Sequence, residues 1–307
     1  LHKKSIDGVL AAVDDSGIRC RMARLTINDK DAVPEGFGET LDTGIAETER
    51  IKSKWENEKI SVTASTIGIT YCEPDQLIEL WKWTDENNRQ FDIHAPAVFD
   101  QKYLAARRGW EGGSFEWLDH VGILGPNVIA AHAQNLRPGE EKLIADAGAS
   151  IALVPDMEQV LGLVNFNARP FLDSNITCGI GLDGAVVAYG HNMWTAMRGY
   201  LTAQRMGDQH RLMMSETDIK WTGEEVLYGS AEQALELATI DGAKALMMDD
   251  KIGSIETGKE ADLVLIDRTE ESHLTPMGSL IASLVYGNGP NQNAIEAVMV
   301  HGEVIVK

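Results

Sequence analysis

Short apolar runs alternate with amphipathic stretches along most of the chain, a pattern that predicts strands followed by helices. Six strands are predicted over residues 18–26, 60–66, 91–94, 127–132, 150–154 and 176–183. Helices are predicted over residues 3–17, 38–58, 74–87, 142–147 and 168–173, with shorter pieces near Lys102 and Phe115 and helical patterns after Asp183 and over 230–246. Such alternation favours parallel βαβ units. The chain is therefore predicted to be an α/β protein. Six strands suit a doubly wound sheet or part of a (β/α)8 barrel, which would need two more.

The pattern changes near residue 250. A turn-rich stretch leads into a short apolar strand that ends at Asp267, and residues 294–300 and 303–306 predict a hairpin through His301 and Gly302. Because no helix crosses between the last two strands, they should be antiparallel. We therefore expect an α/β domain over residues 1–247 and a small β piece over 248–307, which is too small to hold a core by itself.

Composition narrows the possible partners. The 307 residues include 27 Lys and Arg against 47 Asp and Glu, a net charge of −20, with 44% hydrophobic residues. A surface this acidic repels phosphate groups, so neither a nucleic acid nor a membrane is an expected partner. The three cysteines, Cys20, Cys72 and Cys178, form no Cys-x-x-Cys pair and no obvious disulfide framework. They suit a reducing compartment, so a cytoplasmic location is predicted.

Three side chains that can bind a metal lie at the ends of predicted strands. His94 ends one strand, His132 ends the next, and Asp183 ends the last. Ligands and catalytic groups gather at this edge of α/β sheets and barrels. Two imidazoles and a carboxylate can hold a divalent ion or polarise a water that it binds. Each residue also has a simpler explanation: a histidine can be a packing residue, and an Asp before Gly can form a turn.

Several stretches resemble the amidohydrolase superfamily, in particular its cytosine deaminase and chlorohydrolase branch. They are NVIAAHAQNL at 127–136, DAGASI at 146–151, GIGLDG at 179–184, NMWTAMR at 192–198, ALELATIDGAKAL at 234–246 and GSIETGKEADLV at 253–264. The resemblance implies a partial TIM-type (β/α)8 barrel, strands three to eight, followed by part of a small β-sandwich. It also implies a metal-dependent hydrolase that uses metal-activated water to cleave a C–N, C–Cl or C–S bond of a small organic substrate.

The resemblance also implies roles for individual residues. His94 is a metal ligand, His132 contacts the water or substrate or a second metal, and Asp183 is both a ligand and a proton shuttle. The divalent ion implied is zinc first, with iron, manganese or cobalt as alternatives. His191 and Trp194 follow the last strand and are candidate substrate contacts, although the segment can equally cap a helix at Asn192. Glu158 is a candidate proton donor or a solvated loop charge.

Two departures from the family pattern keep alternatives open. The chain contains no His-x-His pair, which opens the barrel in the family, so we expect strands one and two to be absent from it. Ala97 stands three residues after His94, where deaminases of this branch place a glutamate. A C–N hydrolase is the leading hypothesis; a deaminase of a nucleobase or other heterocycle and an inactive scaffold are the alternatives. An open sheet edge would favour a homo-oligomer.

Overall fold

The protein is described by a computed structural model that covers residues 5–29, 33–96, 100–162, 168–188, 190–213, 228–274 and 278–307. Its contacts divide the chain into two units. One unit runs to Ile151 and includes Val300–Ile305; the other comprises Ala152–Met299 and Val306–Lys307. The domain boundary expected near residue 247 stays a prediction.

Six strands form the larger sheet in sequential order. They are β1 Cys20–Leu25, β2 Ile60–Gly68, β3 Phe91–Ala95, β4 Val128–His132, β5 Ser150–Leu153 and β6 Cys178–Ile180. The first three neighbouring pairs are parallel, with Cys20 opposite Ile60 and Phe91 opposite Val128. The predicted strands are confirmed, but β6 is shorter than expected and ends three residues before Asp183.

Helices precede, separate and follow these strands. They are α1 Ile6–Ser16, α2 Leu41–Trp55, α3 Pro74–Glu86, α4 Asp100–Tyr103, α5 Ser114–His120, α6 Glu140–Ala147, α7 Pro155–Val160, α8 Arg169–Asp173, α9 Ala185–Ala188, α10 Met193–Met213, α11 Ala231–Leu237, α12 Ile240–Ala245 and α13 Leu280–Tyr286. Local chemistry sets several boundaries. The Thr40 hydroxyl accepts a hydrogen bond from the Thr43 N–H at the start of α2, and Pro74 opens α3, where its missing N–H costs nothing.

Apolar side chains attach the first helices to the sheet. Ile6 and Leu10 of α1 and Ile51 of α2 pack with three side chains of the first two strands, namely Met22, Ile60 and Val62. All six are buried. Burying a side chain of this size stabilises the fold by roughly 1.5–3 kcal/mol. Because the apolar face of β1 and β2 packs against helices, their other face is left for polar groups.

The last part of the chain contributes a second sheet of three strands, β7 Leu263–Ile266, β8 Ile295–Val300 and β9 Glu303–Val306. β7 and β8 are antiparallel. Between β8 and β9 the backbone takes positive φ angles of 51° at His301 and 77° at Gly302, which makes the tight turn of the predicted hairpin. Within the described residues, no helix combines the length and apolar character that crossing a bilayer requires.

Candidate active site

Two of the predicted site residues lie side by side at the carboxyl edge of the larger sheet. The rings of His94, on β3, and His132, at the end of β4, have centroids 5.0 Å apart and planes tilted by 30°. Both residues are half-buried. Because β3 and β4 are neighbouring parallel strands, their ends meet at one edge, as the sequence predicted.

The backbone of His132 explains how the two rings come together. In the β3–β4 register His94 stands opposite Ala131, while His132 stands opposite Ala95, so regular alternation would place the two histidines on different faces. However, His132 has a φ of 72° and Ala133 a φ of 47°, so the chain leaves strand geometry at this point. A left-handed conformation costs a non-glycine residue about 1–3 kcal/mol and is concentrated at functional sites.

The spacing of this histidine pair fits a metal ion. Two imidazole nitrogens that each bond one tetrahedral ion at about 2.0–2.1 Å place their ring centroids roughly 5 Å apart. The observed 5.0 Å agrees. Among the residues that the structure describes, no group of three or more His, Cys, Asp or Glu side chains is placed to hold a metal. The two histidines can therefore supply two metal ligands. Asp183 as a third ligand stays a prediction.

Asp183 lies in the second unit, in the loop after β6. It is exposed and has a φ of 57°, and its carboxylate accepts a hydrogen bond from the Gly184 N–H. His191 is also exposed, and its Nε2 lies 3.0 Å from the Asp183 carbonyl oxygen. The structure thus brings these two predicted site residues together through the backbone of Asp183.

Glu158 and Trp194 have surroundings that the sequence did not reveal. Glu158 lies in α7 and is only 1% exposed, so it is not a solvated loop charge. The indole of Trp194 packs so closely on Gly289 that a Cβ there would overlap the ring. Asn192 caps α10, since its side-chain oxygen accepts the Trp194 N–H at 2.9 Å. Substrate contacts by Glu158, His191 and Trp194 stay predictions.

An ion pair that sequence analysis missed stands on the same strand as His94. Arg21 donates two hydrogen bonds to the Asp92 carboxylate, at 2.7 and 3.1 Å. Asp92 and His94 are two residues apart on β3 and therefore share a face. Burial raises the pKa of Asp92, with Arg21 acting in the opposite direction. The charged residues within the predicted strands were the signal in the sequence that could have revealed this ion pair. Which of those charges meet, however, depends on the strand register.

Ala97 falls in the segment 97–99, which lies outside the described residues. That Ala97 stands in place of a glutamate is therefore a fact of the sequence alone. The proposed catalytic residues, His132 and Asp183, lie within the described parts of the chain.

Comparison with known proteins decides the family. The sequence profile of the Amidohydrolase family matches residues 1–305. The chain belongs to the amidohydrolase family. A curated relative of this amidohydrolase chain is the 5-methylthioadenosine/S-adenosylhomocysteine deaminase of Desulforamulus reducens, which is 24% identical over 301 residues. That match covers 97% of this chain and 63% of the relative, so the chain spans slightly less than two thirds of the relative's length.

Solved amidohydrolase structures share its fold. Atrazine chlorohydrolase from Arthrobacter aurescens TC1, complexed with zinc, superimposes with a TM-score of 0.86 at 22% identity, covering 98% of this chain and 64% of that one. An adenosine deaminase from Xanthomonas campestris with bound zinc gives 0.80 at 21% identity, covering 96% and 62%. The predicted fold, a partial TIM-type barrel with a small C-terminal β-sandwich piece, is confirmed.

Proposed function

We propose that this amidohydrolase chain is part of a metal-dependent hydrolase that cleaves a C–N or similar bond of a small organic molecule. The observation that carries the proposal is the placement of His94 beside His132 at a spacing that one metal ion fits. The strand order supports it, because the carboxyl edge of a barrel is where such enzymes hold their catalytic groups. A homo-oligomer in the cytoplasm remains the expectation from sequence.

Zinc is the ion we propose, because two solved relatives hold zinc and imidazole is one of its preferred ligands. When bound, such an ion lowers the pKa of a coordinated water and makes it a nucleophile near neutral pH. His94 and His132 would hold it. Asp183 is proposed as a further ligand on the strength of its place after β6 and of the family resemblance.

The chain's own residues would manage the proton. The Asp183 carboxylate is proposed to accept a proton from the attacking water and to return it to the leaving group. The Gly184 N–H holds one of its oxygens, which fixes the orientation of the carboxylate. His191, close to the Asp183 carbonyl, is proposed to contact the substrate.

Metal analysis tests this proposal. We expect the chain to bind added zinc weakly, because the histidine pair supplies only two ligands, and we expect His94→Ala and His132→Ala each to weaken that binding further by at least about tenfold. His120→Ala is the matched control, because His120 stacks on Trp110 and is not part of the site. Zinc binding that survives both site substitutions would reject the histidine pair as ligands. No bound metal at all would favour the inactive scaffold.

A deaminase is the second candidate, since curated relatives carry that name. Ala97 counts against a deaminase. In that reaction a ring nitrogen is protonated as ammonia leaves, and Ala97 stands where the family usually places the glutamate that donates this proton. Buried Glu158 is the alternative donor. Ammonia release should be measured with 5-methylthioadenosine, S-adenosylhomocysteine and a chlorinated triazine. Release from the first two substrates would establish the deaminase, and chloride release from the triazine would favour the broader hydrolase.

A further inference from the structure

Four Asp-Gly or Asn-Gly pairs occur in the chain, and their surroundings differ. They begin at Asp7, Asp183, Asp241 and Asn288. A glycine has no side chain to keep its backbone nitrogen away from the side-chain carbonyl carbon of the preceding residue. That nitrogen can therefore attack the carbon and close a five-membered succinimide ring. The folded structure decides which of the four pairs reaches the geometry for this reaction.

Three of the four pairs are held away from it. Asp7 lies in α1 and Asp241 in α12, where the helical backbone tilts each side chain away from the backbone nitrogen that follows. Hydrogen bonds also hold both carboxylates, because Arg50 donates to Asp7 at 2.6 Å and Lys244 donates to Asp241 at 2.9 Å. The glycine of the Asn-Gly pair donates its N–H to a carbonyl oxygen of α13 at 2.6 Å.

Asp183 and Gly184 are arranged in the opposite way. They lie between β6 and α9, and Asp183 is exposed with a φ of 57°. The Gly184 N–H donates directly to the Asp183 carboxylate. Because a carbon–oxygen bond is about 1.2 Å long, this nitrogen lies within about 4 Å of the carboxyl carbon. A small rotation of the side chain brings the two atoms to the roughly 3–3.5 Å from which a bond can form.

His191 binds the oxygen of the same peptide group. Its Nε2 lies 3.0 Å from the Asp183 carbonyl oxygen, and because a carbonyl oxygen only accepts hydrogen bonds, this nitrogen is the donor. The hydrogen bond draws electron density from the Gly184 nitrogen, so its N–H loses a proton more easily. It also polarises the carbonyl for a later attack by water.

We propose that Asp183 is a site of spontaneous isomerisation to isoaspartate. The Gly184 nitrogen bonds to Cγ of Asp183, and one carboxyl oxygen leaves as water with the amide proton and a proton from solvent. A second water then opens the succinimide at either of its two carbonyls. Opening at Cγ restores aspartate, whereas opening at the main-chain carbonyl leaves isoaspartate, whose backbone runs through the former side chain.

Isomerisation would displace the carboxylate from its place in the proposed active site. In isoaspartate the backbone is longer by one methylene group, and the carboxylate is attached directly to Cα. The group proposed to accept a proton from water would therefore be lost from its position. This consequence rests on the proposed function, whereas the formation of isoaspartate does not.

Peptide mapping tests the proposal without any turnover. We would incubate the folded chain at neutral pH and physiological temperature, and quantify isoaspartate at the three Asp-Gly pairs by mass spectrometry. Isoaspartate should accumulate at Asp183 at least about fivefold faster than at Asp7 or Asp241, because only the first pair has the attacking geometry. In a chain unfolded by urea, the three pairs should react at similar rates.

Two variants assign the faster reaction to this geometry. Gly184→Ala should slow it at least about fivefold, because a side chain restricts the attacking nitrogen. The added Cβ would meet only an ordinary contact, 3.7 Å from Val186, so the fold tolerates it. His191→Phe should slow the reaction about two- to fivefold by removing one hydrogen-bond donor. Gly278→Ala, a substitution into open space, is the matched control and should leave the rate at Asp183 unchanged.

The outcomes separate this inference from the proposed reaction. Equal isoaspartate at the three Asp-Gly pairs of the folded chain, or a rate at Asp183 that neither substitution lowers, overturns the modification site. Turnover that stays constant while isoaspartate accumulates at Asp183 would reject this carboxylate as the proton acceptor and keep the site. Turnover without any isoaspartate at Asp183 would overturn the site and keep the reaction.

Discussion

Arg21 on β1 and Asp92 on β3 form a two-point ion pair across the intervening strand β2, with N–O distances of 2.7 and 3.1 Å. Small hydroxyl side chains on β2 leave room for it. Thr63 donates to the backbone oxygen of Gln90, and Ser65 donates to that of Asp92. The ion pair therefore ties three strands together two residues before His94.

Removing one partner of this pair should destabilise the fold. Asp92→Ala leaves Arg21 without that partner at only 16% exposure, so we expect the free energy of unfolding to fall by about 1–3 kcal/mol. Urea unfolding at neutral pH measures the change. Glu79→Ala is the control, because the half-exposed pair of Glu79 with Lys82 should contribute about 0–1 kcal/mol. Equal losses in the two variants would show that the Arg21–Asp92 pair contributes no more than a surface pair.

Glu140 should tie the loop after β4 to the first turn of α5. Its carboxylate, 1% exposed, accepts hydrogen bonds from the N–H groups of Phe115 at 2.7 Å, Glu116 at 3.2 Å and Arg137 at 2.8 Å. Glu140→Gln keeps the shape but removes the charge and turns an NH₂ group towards these donors. We expect a loss of about 1.5–3 kcal/mol in urea unfolding.

The neighbour of Glu140 in sequence provides the control for that prediction. Glu141→Gln makes the same chemical change at a half-buried carboxylate that accepts the Gly139 N–H at 3.1 Å, and it should shift stability by less than about 1 kcal/mol. Gly113→Ala should also destabilise the protein, because its Cβ would overlap the Glu140 carboxylate. A Glu140→Gln variant as stable as Glu141→Gln would contradict the assigned role.

Asp183→Asn should abolish most turnover while leaving the local structure intact. The amide oxygen can still accept the Gly184 N–H, but the amide cannot take a proton from water. We expect kcat to fall by about 10²–10⁴-fold on whichever substrate of the panel is turned over. Asp241→Asn, which alters a surface pair with Lys244, should retain activity. Wild-type turnover in Asp183→Asn would remove this carboxylate from the mechanism.

The contribution of Asp7 should depend on pH in a defined direction. Hydrogen bonds from Arg50 first, and from Lys54 and Trp55, hold the pKa of Asp7 well below its usual value. A carboxyl with a depressed folded-state pKa stabilises the fold above its unfolded pKa of about 3.9, and this contribution is lost as the pH falls towards the folded-state value.

Acid and urea unfolding of Asp7→Asn should therefore show lower stability than the wild type at pH 7, and a difference that shrinks below about pH 4. Asp15→Asn, at an exposed position near the end of α1, controls for the loss of one negative charge. A difference between Asp7→Asn and wild type that stays constant from pH 7 to pH 2 would exclude the proposed linkage.

Much of this architecture could be read from the sequence, since strands and helices leave periodic apolar patterns that depend on near neighbours in the chain. The strand over 60–66 and the helix over 74–87 were placed within two residues. His94 and His132 could be paired because successive parallel strands in βαβ units usually lie side by side. The family resemblance strengthened the same assignment.

Other features depend on contacts between residues that are distant in sequence. The burial of Glu158 follows from packing around α7, and the link between Arg21 and Asp92 follows from the register of three strands. Neither leaves a periodic signal. The π-helical turn Leu104–Arg108 is held by hydrogen bonds from Arg107 to Asp29 and from Arg108 to Glu73, partners more than 30 residues earlier in the chain. The sequence by itself thus determined the order of the strands and which of them end in histidine, because local patterns govern both. Only the tertiary structure decided which charges meet, because side-chain pairing depends on distances that the folded chain sets.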